Sequence, residues 1–336
     1  MAPQLARCIP KRSEVLAMSP LVFRATETMV VILGGLAAGY TARRRGLPDR
    51  YSPAIQEFTL IYVEPVVIVL SLWSLNAQGL RMFLLPLLAG LLIVLMWPVG
   101  DFAGRLLGLR AGDLGAYVVC SMFSNVGITY GTFLCYALLG ERGVALGYLY
   151  VTSFSPILYT LGFYVVRLYG YGERPSAWRT MAQTLAQPES RNPIMATIAG
   201  LALFASGLPW PELAKPAVDV LVPTSTFAKL FAIGLSLRPR VMLNYWKPAA
   251  VMHVLKFVVS PALGLVLAWA GGLTGAQDRA LMQVVLIEAA SPVAIMSIVL
   301  AQVTGLNVQL ANTCWLATNL SAIALAPLWL YIASLL

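Results

Sequence analysis

Hydrophobic positions along the chain do not alternate with polar ones. They cluster into ten continuous apolar runs, at about 22–41, 52–75, 82–104, 114–139, 143–167, 193–208, 216–236, 248–270, 279–303 and 309–334. A helix needs roughly 20 predominantly apolar residues to cross the hydrocarbon core, so these runs predict transmembrane helices. In lipid, backbone polar groups must be satisfied within the protein. The expected fold class is therefore all-α integral membrane. The sixth run is short, and the fourth and ninth carry polar or helix-breaking residues: "SMFSNVGITYG" at 121–131 and "EAASPVAIMS" at 288–297.

Composition agrees with this pattern: 59% of the 336 residues are hydrophobic and 11% charged, with a mean hydropathy of +0.78, far from the profile of a soluble domain. Residues 1–21 read as a basic tail without the continuous apolar stretch of a secretory signal. The net charge of +9 is distributed by topology. Arg43, Arg44, Arg45, Arg50, Arg105, Arg110, Arg167, Arg174, Arg179, Arg191, Arg238, Arg240 and Lys247 fall on one side, and Arg81, Arg142, Lys215 and Arg279 on the other. By the positive-inside rule both termini are expected outside the cytoplasm, in a multi-pass protein of the cell membrane. No basic patch is interleaved with aromatics, so no nucleic-acid partner is expected. The four cysteines (Cys8, Cys120, Cys135, Cys314) have neither metal-ligand nor disulfide-framework spacing.

The second half of the chain echoes the first. Gly46-Leu47-Pro48 matches Gly207-Leu208-Pro209, Pro86 and Pro98 match Pro248 and Pro261, Asp113 matches Asp278, and Gly140 matches Gly305. Ser124-Asn125 and Ser291-Pro292 take comparable interior places. The organisation expected is a first five-helix repeat over 22–169, a cytoplasmic connecting loop over 170–192 and a second repeat over 193–336. An odd number of crossings per repeat makes the two halves inverted. Inverted repeats with broken helices at equivalent places are the pattern of secondary transporters, whose sites lie at the breaks.

The residue types at the breaks suit that role. Asn125 is placed to cap the following half-helix, Gly127 and Gly131 allow close approach, and Pro292 removes a hydrogen bond. Half-helix N-termini carry partial positive charge and attract anions, while the preceding carbonyl ends attract cations. Close packing of small residues is the alternative reading. The expected substrate-binding residues are Asn125, Gly127, Thr129, Ser291, Pro292, Met296 and Ser153. Thr152 and Ser155 stand near Ser153, although such hydroxyls commonly bond back to their own helix.

"SNVGITYG", "LYTLGFYVVR", "RNPIMATIAGLALFASGLPWPE" and "SPVAIMSIVLAQVTG" together resemble the auxin efflux carrier family, similar in fold to bile acid/sodium symporters. The resemblance covers nearly the whole chain from about residue 22. It implies ten helices, with a scaffold of spans 1, 2, 6 and 7, a transport core of spans 3–5 and 8–10, and crossing helices 4 and 9. It also implies a small organic anion as substrate. This chain departs from the pattern at Tyr130, where a small residue is common, and at Ile295 and Met296, where an Asn is usual.

Glu288 stands in the ninth run. A carboxylate at a helix centre costs about 3 kcal/mol or more and needs a partner or a function. Bile acid/sodium symporters surround sodium with a Glu in the ninth span and a Ser-Asn pair in the fourth. The resemblance of Ser124, Asn125 and Glu288 to that set implies a sodium ion; a proton on Glu288 is the other coupling ion expected, because burial favours the neutral carboxyl, and Lys256 is a further member of the expected coupling set. A salt bridge from Glu288 to Lys256 is the structural alternative. Lys229 reads as a structural or snorkelling lysine and Glu64-Pro65 as a bend. The expected function is alternating-access transport of a small carboxylate, with uncoupled weak-acid efflux or a membrane receptor as alternatives. A homodimer through the scaffold helices is a further expectation. One histidine in the chain and no phosphate-cradling loop speak against an enzyme and against direct use of ATP.

Overall fold

A computed structural model describes residues 20–48, 50–75, 80–169, 182, 186–236 and 245–336. Most of the amino-terminal tail and of the connecting loop, with Cys8, Arg174, Arg179, Arg238 and Arg240, lies outside the described residues, as does the side chain of Ser155. The apolar runs are helical. They form α1 Pro20–Arg44, α2 Tyr51–Trp73 and α3 Arg81–Leu106, α4 Ala111–Met122, α5 Gly131–Leu139 and α6 Glu141–Val151. They continue as α7, residues 154–169, α8 Pro188–Ser206, α9 Ala214–Ser236, α10 Trp246–Ala270, α11 Arg279–Ala289, α12 Ile295–Val303 and α13 Val308–Leu335.

Helices α2, α3, α9, α10 and α13 are each long and apolar enough to cross a membrane. Phe58, Tyr62, Leu87, Phe102, Val258 and Trp269 stay exposed on α2, α3 and α10, a surface suited to lipid contact. π-Helical turns interrupt α2 at Thr59–Val63 and α10 at Leu255–Val259. Pro65 and Pro261 follow them, and a proline gives no N–H to the carbonyl four residues back, so the helix widens there. The bend expected at Glu64-Pro65 takes this form.

Helix α1 lies along α9, and α2 packs on α8 and α9, while α3 to α7 pack with α10 to α13. The α1–α9 contact is set by glycine. A Cβ at Gly39 would overlap the Phe231 carbonyl, and one at Gly234 the Leu36 carbonyl, whereas one at Gly34 would meet only the Phe227 ring at 3.7 Å. Close backbone approach of this kind drives helix association in lipid. Gly39→Ala should therefore lower the unfolding temperature of the purified protein, with about 1–3 kcal/mol of overpacking, and Gly34→Ala should not.

Gly46, Gly108, Gly140, Gly207, Gly272 and Gly305 have positive φ. They fall into three pairs, Gly46 with Gly207, Gly108 with Gly272 and Gly140 with Gly305, each ending comparable helices in the two halves. Left-handed glycine is the usual terminator of a helix.

Candidate functional site: two interrupted helices that pair

Residues 123–130 separate α4 from α5, and 290–294 separate α11 from α12. The two interruptions meet. Ser124 and Val293 form an isolated antiparallel bridge, in which the Asn125 N–H donates to the Pro292 carbonyl at 2.7 Å and the Ala294 N–H to the Phe123 carbonyl at 3.0 Å. Unwound backbone within the membrane needs such partners. Each carbonyl from Phe123 to Ile128 accepts a hydrogen bond: Thr132 Oγ1 serves Val126, Thr226 Oγ1 of α9 serves Ile128, and backbone N–H groups serve the others. On the other side, Asn319 Nδ2 donates to the Val293 carbonyl at 3.0 Å and Ser260 Oγ to that of Ala289 at 2.7 Å.

The end of α4 is held by a cation from within the protein. The fully buried Lys256 Nζ donates to the Ser121 carbonyl at 2.7 Å, the Phe123 carbonyl at 3.2 Å and Ser124 Oγ at 2.8 Å. This ammonium sits where the carbonyl end of a helix favours positive charge. The salt bridge to Glu288 weighed in the sequence does not form. Among the described residues, the ion pairs are Arg81–Asp278, Arg105–Asp101, Lys215–Glu141 and Lys229–Glu64. His253, one turn before Lys256, is engaged separately with Ser321 Oγ at 2.7 Å.

Extended backbone sends successive side chains to opposite sides, and Phe123 is extended, with φ −101° and ψ 123°. Ser124 and Val126 line a small cavity, together with Ala89, Leu92, Ile93, Met96, Met122, Tyr150, Ser153, Phe154, Ser260 and Glu288. Glu288 is fully buried. Its Oε1 accepts from Thr132 Oγ1 at 2.9 Å, with Cys135 Sγ at 3.9 Å. Its Oε2, like Ser153 Oγ, has no hydrogen-bond partner. Two glycines make room for the carboxylate: a Cβ at Gly131 would overlap Oε2, and one at Gly147 would come within 3.0 Å of Oε1. Of the expected cation set, Ser124 and Glu288 thus share a cavity, and Asn125 is not among its lining residues.

Asn125 and Gly127 serve another side of the break. Asn125 does not cap α5; the residue preceding that helix is Tyr130, without a side-chain cap. Its Nδ2 instead donates to Asn319 Oδ1 of α13 at 3.2 Å. Gly127 is closest to Glu64, whose Oε1 would stand 3.8 Å from an added Cβ. Thr129 is half-buried, and Met296, half-buried, opens α12, whose N-terminus likewise lacks a side-chain cap. Ser291 is buried and bonds back to Ile287 at 3.2 Å, as Thr152 does to Leu149 at 2.7 Å.

Asn319, Thr132 and the Glu64–Lys229 pair went unrecognised as site residues in the sequence. Asn319 in the middle of the apolar run of α13 was the available signal, since a polar side chain at membrane depth needs a reason.

The chain is similar to an uncharacterized transporter of Methanocaldococcus jannaschii, 24% identical over 317 residues that cover 90% of this chain and 97% of the relative. It is similar to another of Methanothermobacter thermautotrophicus, 23% identical over 308 residues covering 91% and 97%. It also matches auxin efflux carrier component 1 of Arabidopsis thaliana, 27% identical over 154 residues, which are 45% of this chain and 24% of the plant protein. The signature of the family described as membrane transport protein extends over residues 24–330. The chain therefore belongs to the membrane transport protein family, which includes the auxin efflux carriers, and is a transporter of the membrane rather than an enzyme.

Proposed function

We propose that the protein is a secondary carrier that moves a small organic anion, a carboxylate, by alternating access. Its site lies at the paired breaks and takes Asn125, Gly127 and Thr129 from one, Met296 and the start of α12 from the other, and Asn319 from α13. The observation that carries this reading is the division of the break's polar groups. Its carbonyls are spent on protein donors, among them the Gly131 and Thr132 N–H groups that open α5, while α12 begins without a side-chain cap. Uncapped helix N-termini favour an anionic oxygen.

The ten spans are read as two inverted repeats. Spans 1, 2, 6 and 7 (α1, α2, α8, α9) form the scaffold, and the remainder the moving core; the three pairs of left-handed glycines support that reading. Movement of the core would have to part Lys215 of α9 from Glu141 of α6, 2.6 Å apart, and Asp219 from Tyr136 of α5, 3.0 Å apart. Unfolding-temperature shifts of the purified protein over mono- and dicarboxylates test the site: carboxylate-specific stabilisation is expected in wild type and not in Asn125→Ala. Equal stabilisation of both would refute it.

For coupling, the cavity at Glu288 supports a proton over sodium. Lys256 already places a positive charge on Ser124, and the unpartnered Oε2 can hold a proton. Glu288→Gln should lose proton-driven accumulation by about tenfold or more while keeping carboxylate exchange, and replacing sodium with choline should change neither. Sodium-dependent stabilisation of wild type that Glu288→Gln lacks would assign the site to sodium instead.

A further inference from the structure

The described residues include two lysines buried inside the helical body, Lys229 and Lys256. They are held differently. Lys256 is surrounded by neutral oxygens, whereas Lys229 of α9 already binds a carboxylate, that of Glu64 on α2. The pair is nine-tenths buried, at 10% and 8% side-chain exposure. A buried ion pair is weak as a stability device, because desolvation offsets its attraction.

Its placement gives it another use. The π-helical turn Thr59–Val63 ends at Glu64, whose Oε1 faces the bare backbone of Gly127. One turn before Lys229, Thr226 donates to the Ile128 carbonyl at 3.0 Å. The pair thus lies against the break. Beside it, the hydroxyl of Tyr148 on α6 is buried and interacts with Glu64.

We propose that Lys229 is the carboxylate-recognising cation of the transport site, and that Glu64 holds its place in the absence of substrate. An arriving carboxylate takes the Lys229 ammonium as Glu64 takes up a proton from the aqueous side and turns, neutral, to the hydroxyl of Tyr148. The exchange keeps one negative charge on Lys229 throughout, so neither state leaves a bare cation in the membrane. It selects carboxylates and gives the site an empty state that is neutral overall. The substrate step of this inference rests on the carrier reading above; the recognition step is testable without it.

Glu64→Ala leaves Lys229 without its counter-ion. Its unfolding temperature should fall, and acetate or formate should restore at least half of the loss, while chloride at matched ionic strength should not. The double variant Glu64→Ala/Lys229→Met should show no rescue. Absence of carboxylate-specific rescue, or rescue that persists without Lys229, overturns the site. Should Glu64→Ala not fold, Glu64→Gln serves: it removes the competing charge, and acetate should stabilise it at about tenfold lower concentration than wild type. Equal dependence on acetate in the two proteins would again overturn the proposal. In vesicles, Lys229→Gln should raise the half-saturating carboxylate concentration about tenfold or more. Unchanged saturation would remove Lys229 from substrate recognition. Absence of carboxylate flux in wild type would end the substrate step and the carrier reading with it, even if acetate rescue places a carboxylate at Lys229.

Discussion

Lys256→Met is expected to destabilise the core strongly. Methionine fills a similar volume and removes the ammonium, so no large void results. What remains is the carbonyl end of α4. The Ser121 carbonyl loses its donor because the N–H that would close the next helical turn, that of Asn125, is committed to Pro292. Ser124 Oγ loses its 2.8 Å donor, and the helix end loses a favourable charge. Each unsatisfied buried group costs about 1–3 kcal/mol. The sum, about 3 kcal/mol or more, exceeds what is regained by no longer burying an ammonium that was fully hydrogen-bonded, since removing one side of such a set leaves the other stranded. Lys256→Gln, which keeps two donors, should lose less. Thermal unfolding of the three proteins in one detergent checks the order wild type, Gln, Met.

Gly131→Ala should also destabilise the core. A Cβ there would overlap Glu288 Oε2 and stand 2.7 Å from Ser291 Oγ. Neither neighbour can withdraw freely: Glu288 is fully buried and tied through Oε1 to Thr132, and Ser291 is bonded to Ile287. The cost expected is that of overpacking, about 1–3 kcal/mol, with a further loss if Oε1 gives up its hydrogen bond. Glu288→Ala in the same chain should recover part of the stability, because it removes the nearer of the two side chains in conflict. Proton-driven accumulation should stay lost. Gly127→Ala is the contrasting control: its Cβ would meet only Glu64 Oε1 at an ordinary 3.8 Å, so the fold should survive and carboxylate affinity alone should change. Equal destabilisation by the two alanines would refute the distinction.

That distinction shows where reading the sequence reaches its limit. Apolar runs, helix-ending glycines and the two polar interruptions are local signals, and the helices occur where those signals stand. The roles of Gly127 and Gly131 look alike in sequence and separate only when the second break is docked against the first. Asn125 suits a helix cap by type, yet its amide reaches Asn319, a residue 194 positions away. Lys256 seemed a partner for Glu288 because both are charged and both belong to the expected core. Its long side chain instead reaches the end of α4, where unsatisfied carbonyls compete successfully for it. Lys229 and Glu64 each looked structural alone, and only the fold shows that they meet beside the break. Side-chain destinations across such separations follow from helix crossing, to which the period of hydrophobicity is blind.

We propose the paired breaks as a carboxylate transport site. It is tested most directly by uptake into lipid vesicles containing the purified protein, over a panel of labelled mono- and dicarboxylates, for wild type and Asn125→Ala side by side. Saturable flux of at least one carboxylate by wild type is expected, with a loss of about tenfold or more in Asn125→Ala protein that retains its unfolding transition. No carboxylate flux in wild type, or equal flux in the two proteins, would contradict it.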